Sequence, residues 1–286
     1  MDDRTFNFSH QEFYLIGFTD LQEYRRYLFI PFFVIFAFTL FANSVIMMVI
    51  VKESKLHAPM YILIGFTAAL GFMQPIFLVP RMLISFLFGK NMIYKDECLI
   101  QMFCLHMAGC FQSTVLFVVV PVIRNVLLVV TTVSLAGKLS FCVTNIIDHC
   151  FCEHMVLVQL ACGDITINNI VGLLTVFFIP TADFILINIS YIVIFTSVFK
   201  SGKTNMKALN TCITHFIVMS VTLTFALIAF LSYRIRNNFS PSGRVFVSTM
   251  YLLFPSCFNP IIYGVRTKEI RQTFIKFIKN LKVLPL

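Results

Sequence analysis

Six apolar stretches alternate with short polar segments along the chain. Five of them have the length of an ordinary membrane-crossing helix: Tyr27–Val51, Met60–Phe88, Ile167–Phe199, His215–Leu231 and Val245–Val265. A helix that crosses a bilayer needs about 20 mainly apolar residues at a rise of about 1.5 Å each. The pattern therefore predicts a bundle of transmembrane helices joined by polar connections.

The remaining stretch, Ile100–Ala136, is longer than a single crossing requires. Its apolar character is interrupted only by Pro121, Arg124 and Asn125. As one straight helix it would extend about 55 Å, whereas the hydrocarbon core of a bilayer is about 30 Å thick. The stretch is too long for one straight crossing, and two crossings would be cramped. The pattern alone therefore does not decide between one and two crossings.

Composition supports the membrane assignment. Hydrophobic residues make up 58 % of the 286 residues, charged residues make up 12 %, and the mean hydropathy is +0.88. A soluble globular domain carries about 25 % charged residues, and a disordered chain has a much lower apolar content than this one. Both classes are excluded, which leaves an all-α polytopic membrane protein.

The distribution of charges predicts the orientation. If the N-terminus lies outside, the segments 52–57, 200–207 and 266–286 lie inside, and together they hold 11 basic residues against two acidic ones. This is the asymmetry expected of cytoplasmic loops. The sequence Asn7-Phe8-Ser9 is a glycosylation acceptor, which also requires an outer N-terminus. We expect no cleaved signal peptide, because residues 1–26 have no apolar core before a cleavage site.

This orientation divides the chain into three regions: an extracellular N-terminus (1–26), a transmembrane bundle (27–265) and a cytoplasmic tail (266–286). In the tail, apolar and basic residues of Lys268–Leu281 fall on different helical faces. Such a helix lies on the anionic inner leaflet, so membrane lipids are expected partners. The termini lie on opposite sides, so the number of crossings must be odd, and six stretches do not satisfy this.

Several motifs, in chain order, resemble the odorant receptors, a branch of the rhodopsin-like G-protein-coupled receptors. They are Asn43 followed by Leu56-His57-Ala58-Pro59-Met60-Tyr61, Ser190-Tyr191, Lys207-Ala208-Leu209-Asn210-Thr211-Cys212 with His215, and Asn259-Pro260-Ile261-Ile262-Tyr263. The long loop with His149-Cys150-Phe151-Cys152-Glu153-His154 is similar to the fish-like (class I) subgroup. The resemblance implies a seven-helix bundle that binds small odorants and signals through a heterotrimeric G protein.

The resemblance also identifies a missing block. The family has Asp-Arg-Tyr at the inner end of helix three, followed by the second inner loop and the first half of helix four. Here Leu116–Val120 runs directly into Pro121–Leu128, which is similar to the outer half of helix four. We therefore expect a truncated fourth helix over 121–137, no second inner loop, and a sharp break at Val120–Pro121. Either the gene model omits coding sequence or the receptor is degenerate.

The resemblance implies a ligand site between the outer halves of helices three, five and six. Its expected residues are His106, Met107, Phe111, Asp183, Phe230 and Arg234. Arg234 either holds a ligand carboxylate by charge-assisted hydrogen bonds or extends to the membrane surface. The activation switch is expected at Asn259, Pro260 and Tyr263, because Pro260 removes a helical hydrogen bond and loosens the inner end of the last span.

The cysteines of the outer loop are also interpreted through the resemblance. It implies a disulfide between Cys98 and Cys152, and a second between Cys142 and Cys162. The alternative is free thiols. The run from His149 to His154 also resembles a set of metal ligands, but a solvated loop with a structural disulfide is the simpler interpretation, so no metal site is expected. Gly71 and Gln112 stand where acids usually occur, so we expect no sodium site either.

The sequence shows no catalytic constellation, no phosphate-binding loop and no basic groove for nucleic acid, so we expect neither an enzyme nor a cofactor. The leading hypothesis is an odorant receptor of the plasma membrane whose coupling to G protein is impaired by the missing segment, with retention in the endoplasmic reticulum as one consequence. A non-signalling remnant that assembles with intact receptors remains an alternative. A transporter or channel is a more remote one, since it would require repeats or several intramembrane charges.

Overall fold

Long helices account for most of the chain. The computed structural model describes residues 9–57, 59–114, 119–200, 206–234 and 239–282. Within these residues seven helices have at least 19 residues: α1 Phe29–Lys52, α2 Pro59–Phe88, α3 Lys95–Thr114, α4 Val119–Gly137, α6 Thr166–Lys200, α7 Met206–Arg234 and α8 Pro241–Arg266. A one-turn helix, α5 His154–Val158, lies in the loop before α6, and α9 Lys268–Lys282 follows α8. The expected all-α class is therefore confirmed.

Hydropathy marks three of the described helices as long and apolar enough to cross a membrane. They are contained in Glu23–Lys52, Tyr61–Phe88 and Pro241–Arg266, and shorter apolar helical segments occupy Val122–Gly137, Thr166–Thr175 and Phe216–Ser232. A 3₁₀ helix, Thr19–Leu28, leads directly into α1, so the span Glu23–Lys52 begins within this 3₁₀ helix. The apolar stretches of the sequence thus become the long helices of the bundle.

The long stretch Ile100–Ala136 is divided between α3 and α4. The expected break at Val120–Pro121 is wrong for the described residues, because α4 already begins at Val119 and includes Pro121 in its first turn. Proline is tolerated there because the first-turn amides have no partner within the helix. With 19 residues α4 is about 28 Å long, just short of a bilayer core of about 30 Å.

Short strands tie the N-terminus to the outer loops. Strand β1, Glu12–Leu15, lies between β2, Met92–Tyr94, and β4, Ile146–Ile147, in one sheet. It is antiparallel to β2, with Phe13 opposite Ile93, and parallel to β4. A second pair joins β3, Ser140–Phe141, to β5, Ala161–Cys162. The sequence pattern did not predict these strands.

Two buried clusters hold the outer face together. In the first, Phe13 of β1 packs edge-on against Phe141 at 5.3 Å, and neither ring is exposed. In the second, Cys150 and Phe151 of the outer loop pack with Phe18, Leu105 and other apolar residues of α2, α3 and α8. The N-terminal segment and the disulfide-linked loop therefore form one cap over one end of the bundle.

Candidate ligand site

The outer loop is fixed above α3 by a disulfide and by one glutamine. Cys98 of α3 and Cys152 form a disulfide with their Cα atoms 5.4 Å apart. One turn along α3, Gln101 Oε1 accepts a hydrogen bond from the Cys152 amide at 3.0 Å, and Gln101 Nε2 donates to the Phe77 carbonyl of α2 at 3.0 Å. The residues that follow Cys152 are thereby held over the interface between α2 and α3.

A second disulfide joins the two ends of the same loop. Cys142 and Cys162 are bonded with Cα atoms 5.7 Å apart. Cys142 directly follows β3, and Cys162 is the last residue of β5, where it lies opposite Ser140. Closing a loop of this size restricts the unfolded chain and so stabilises the folded loop.

Glu153 begins the short helix α5 and carries an unusual carboxyl group. Its Oε2 accepts a hydrogen bond from the Val156 amide at 3.0 Å, which is the geometry of a helix N-cap. Burial raises the pKa of Glu153 to about 7, even though the amides of Val156 and Met155 favour its charged form. Tyr251 of α8 lies within electrostatic range of this carboxyl group.

His154, the first residue of α5, lies against α6. An ideal Cβ at Gly172 would be 2.8 Å from His154 Cε1 and 3.0 Å from Nδ1, so only glycine leaves room for the imidazole. The side chain is buried, and burial together with the neighbouring His106 lowers the pKa of His154 to about 4. His154 is therefore neutral at pH 7.

The expected ligand residues of α3 have partly buried side chains. His106, Met107 and Phe111 are all half-buried. His106 Nδ1 lies 2.8 Å from the Met102 carbonyl. A carbonyl only accepts hydrogen bonds, so Nδ1 carries the proton, and Nε2 of the neutral ring is an acceptor. The structure brings His106 close to His154, a residue that was not among the expected ligand contacts.

The other expected ligand residues lie on α6 and α7. Phe230 of α7 is buried and packs edge-on against Phe177 of α6, with ring centroids 5.2 Å apart. Asp183 lies within α6 and Arg234 is the last residue of α7, but their side chains lie outside the described part of the structure. Asn7 also lies outside the described residues.

The run from His149 to His154 does not converge on one point. His149 Nδ1 accepts hydrogen bonds from the amides of Cys150 and Phe151, and its ring lies 4.1 Å from the Phe151 ring. Burial lowers the pKa of His149 to about 3 and raises the pKa of the Cys150 thiol to about 12. Within the described ranges, no group of three or more His, Cys, Asp or Glu side chains could hold a metal ion.

The expected switch residues lie in the C-terminal half of α8. Asn259, Pro260 and Tyr263 are buried, and Pro260 is inside the helix. Tyr263 packs in a cluster with residues of α1 and α2 and with Ile270 of α9. Through Tyr263, α8 is therefore connected to α1, α2 and α9.

Sequence reasoning did not single out the buried residues Glu153, His154 and Asn168 as candidates for the site. Glu153 and His154 were visible only as members of a possible metal set. The burial of Asn168, which is only 5 % exposed, could not be predicted from the sequence, because it depends on which face of α6 meets the loop. Three elements that are distant in the chain (α3, α5 and α6) supply the groups, and periodicity does not reveal such a meeting.

The chain is similar over most of its length to known receptors. The family model described as "Olfactory receptor" matches residues 32–122 and 114–281. Human olfactory receptor 52K2 is 31 % identical over an alignment of 293 positions, which covers 92 % of this chain and 93 % of that receptor. Human olfactory receptor 52J3 is 34 % identical, with 91 % and 93 % covered, and mouse olfactory receptor 51E2 is 30 % identical, with 96 % and 95 % covered. These matches, together with the helical bundle, show that the chain belongs to the olfactory receptor family.

Proposed function

We propose that this chain binds a small, mainly apolar odorant at the outer end of its helical bundle and that it couples poorly to a G protein. As a member of the olfactory receptor family it is a multi-pass protein of the plasma membrane and not an enzyme. The ligand site, the orientation and the loss of coupling are the parts that we propose.

The meeting of His106, His154 and Gly172 carries the proposal of an outer ligand site. These residues belong to α3, α5 and α6, and they converge beneath a loop that is held by two disulfides. Apolar rings lie nearby on the same side of the bundle, including the Phe177–Phe230 pair. An apolar site with a few convergent polar groups is the usual form of a small-molecule pocket.

The proposed coupling defect is supported by the way in which the family model matches. It matches in two pieces that meet at residues 114–122. The comparison with olfactory receptor 52K2 runs over 293 positions, but 92 % of 286 residues is about 263, so about 30 positions have no counterpart in this chain. The sequence contains no Asp-Arg-Tyr, and only four residues separate α3 from α4. The family resemblance assigns that motif to G-protein contact.

The proposed orientation places the N-terminus and the disulfide-linked loop outside and α9 inside. In this orientation Asn7 is available for glycosylation, and the basic residues of α9 face the anionic inner leaflet. Asn259, Pro260 and Tyr263 would act as the switch between two packings of the inner end of α8. A chain without the segment that contacts the G protein would still undergo this change on binding an odorant.

Ligand-induced thermal stabilisation of the purified chain in lipid nanodiscs tests the site. A panel of aliphatic alcohols, aldehydes and ketones is added, and the melting temperature is measured with and without each compound. We expect at least one compound to raise the melting temperature of the wild type, and Phe230→Ala to reduce that rise. Phe246→Ala, which changes an exposed ring of α8, is the control. Equal rises in all three proteins would contradict the proposed site, and so would the absence of any rise.

A further inference from the structure

Two polar atoms near the proposed ligand site are buried without a hydrogen-bond partner. They are Nε2 of His154, a residue that is 4 % exposed, and Oδ1 of Asn168, a residue that is 5 % exposed. Native proteins satisfy most buried polar groups, so an unsatisfied one calls for an explanation such as a bound water or ligand.

The His154 ring of α5 packs against the same face of α6 that carries Asn168. His154 packs on Gly172, and Asn168 is one helical turn before Gly172, so the two positions are neighbours on the helix surface. The face points inward, because Asn168 and Thr175 are buried while Ile167 and Ile170 are exposed. The unsatisfied imidazole and the unsatisfied amide are therefore neighbours along the buried face of α6 that meets α5.

The hydrogen-bonding capacity of these atoms limits what can satisfy them. Asn168 Oδ1 only accepts hydrogen bonds, so it requires a donor. The neutral His154 ring has one N–H donor and one acceptor, and Nε2 serves as either one according to the tautomer. The neighbouring His106 does not supply a donor through Nε2, which is an acceptor because Nδ1 donates to the Met102 carbonyl.

We propose that His154 Nε2 and Asn168 Oδ1 form the polar end of the odorant site and bind the hydroxyl group of an aliphatic alcohol. This inference rests on the proposed odorant-binding function and adds the class of ligand. The alcohol donates its proton to Asn168 Oδ1, and its oxygen accepts the N–H of His154. The alkyl chain then lies among the apolar side chains of the bundle.

Other common odorant classes satisfy the pair less well. An aldehyde or ketone has no donor for Asn168 Oδ1, so the amide oxygen stays unsatisfied. A carboxylate has no donor either, and it brings a charge close to the buried carboxyl group of Glu153. Burial of an unpaired charge is more unfavourable than burial of a neutral hydroxyl group. A water molecule could bridge the same two atoms, and an alcohol would then displace it.

Equilibrium binding of matched compounds to the full chain in nanodiscs tests this inference. The probes are straight-chain 1-alkanols from butanol to decanol, together with the aldehydes and carboxylates of equal chain length. The proteins are the wild type, Asn168→Ala, His154→Phe and, as the matched control, Asn169→Ala, which removes the amide of the next residue. His154→Phe keeps a flat ring against Gly172 and removes both ring nitrogens, including Nε2.

We expect the best alkanol to bind the wild type at least tenfold more tightly than the aldehyde of equal length. Asn168→Ala and His154→Phe should each remove that preference, and Asn169→Ala should retain it. If only one of Asn168→Ala and His154→Phe folds, the binding preference of that variant tests the inference. Equal binding of alkanol and aldehyde by the wild type would overturn the inference and leave the proposed function standing. The polar pair would then bind only a water molecule. Retention of the preference in the folded variants would also overturn it. If none of the compounds binds the wild type, both proposals are contradicted.

Discussion

The side-chain amide of Asn43 occupies the space that a side chain at Gly71 would need. An ideal Cβ at Gly71 lies 2.5 Å from Asn43 Oδ1 and 2.9 Å from Cγ. Asn43 Nδ2 donates to the carbonyls of Thr39 at 2.8 Å and Ser256 at 2.9 Å, so the amide joins α1 directly to α8. Ser256 Oγ donates in turn to Gln74 Oε1 of α2 at 3.1 Å. The position that usually carries an acid in rhodopsin-like receptors is thus filled by a neighbouring amide.

This packing predicts that even a single methyl group at position 71 is harmful. We expect Gly71→Ala to displace the Asn43 amide and to lower the free energy of unfolding by about 1–3 kcal/mol, as overpacking of a close-packed interior does. Thermal unfolding of the purified chain in nanodiscs measures the loss. Gly65→Ala is the control on the same helix, because its Cβ would meet Ile50 at an ordinary distance of 3.7 Å. Equal melting temperatures for the two variants would show that the Asn43 amide can move aside.

Arg25 holds the N-terminal segment to α2. Its Nε donates to the Gly17 carbonyl at 2.8 Å, its Nη2 donates to Ser85 Oγ at 2.5 Å, and the guanidinium lies 5.2 Å from the centre of the Phe86 ring. Hydrogen bonds from charged groups contribute about 1.5–3 kcal/mol. We expect Arg25→Ala to lower the melting temperature by several degrees and to speed amide hydrogen exchange in β1.

The adjacent arginine provides the control for that experiment. Arg26 is exposed, so Arg26→Ala removes the same charge without removing these contacts. We expect its melting temperature and the exchange rates in β1 to stay at the wild-type values. Similar losses in both variants would mean that net charge, and not the contacts with Gly17 and Ser85, stabilises the N-terminal cap.

The buried carboxyl group of Glu153 predicts a dependence of stability on pH. Its pKa is about 7 in the folded chain against an ordinary value of 4.5. Between these values the folded state retains a proton that the unfolded state has released, so the contribution of Glu153 to stability falls as the pH rises from 4.5 to 7. We expect Glu153→Gln, which keeps a carbonyl acceptor for the Val156 amide, to lose less stability than the wild type as the pH rises from 5 to 8.

Other groups titrate in the same range, so the comparison must be made between variants. The lowered pKa values of His149 and His154 make stability rise with pH up to about 6.5 in both proteins, and this effect cancels in the difference. Asp164→Asn is the control, because hydrogen bonds from Thr166 lower the pKa of Asp164 further below the range that is tested. An unchanged pH profile in Glu153→Gln would show that Glu153 is ionised throughout.

The helices could be predicted from the sequence because each apolar stretch is local information. Tyr27–Val51 differs by only a few residues from the observed α1, Phe29–Lys52. The long stretch Ile100–Ala136 was ambiguous, because its polar interruptions lie within the first turns of α4 and not between α3 and α4. Hydropathy alone does not separate two helices that are joined by apolar residues.

The cap formed by the N-terminal segment and the disulfide-linked loop, and the proposed polar pair His154 and Asn168, depend on contacts that the sequence pattern does not contain. Strand β1 has four residues, and its partners lie about 80 and 130 positions further along the chain, so its hydrogen bonds are entirely non-local. Likewise, His154 and Asn168 become a pair only because Gly172 allows α5 to approach α6.

A signalling assay in transfected cells tests most directly the claim that this receptor binds odorants and couples poorly. The original chain is compared with a variant that carries, between Val120 and Pro121, a family-type segment with Asp-Arg-Tyr, the second inner loop and the first half of helix four. Odorant-dependent cAMP is measured at equal surface amounts of the two proteins. The account predicts a rise with the variant and none with the original chain. A rise with the original chain, or none with either protein, would contradict it.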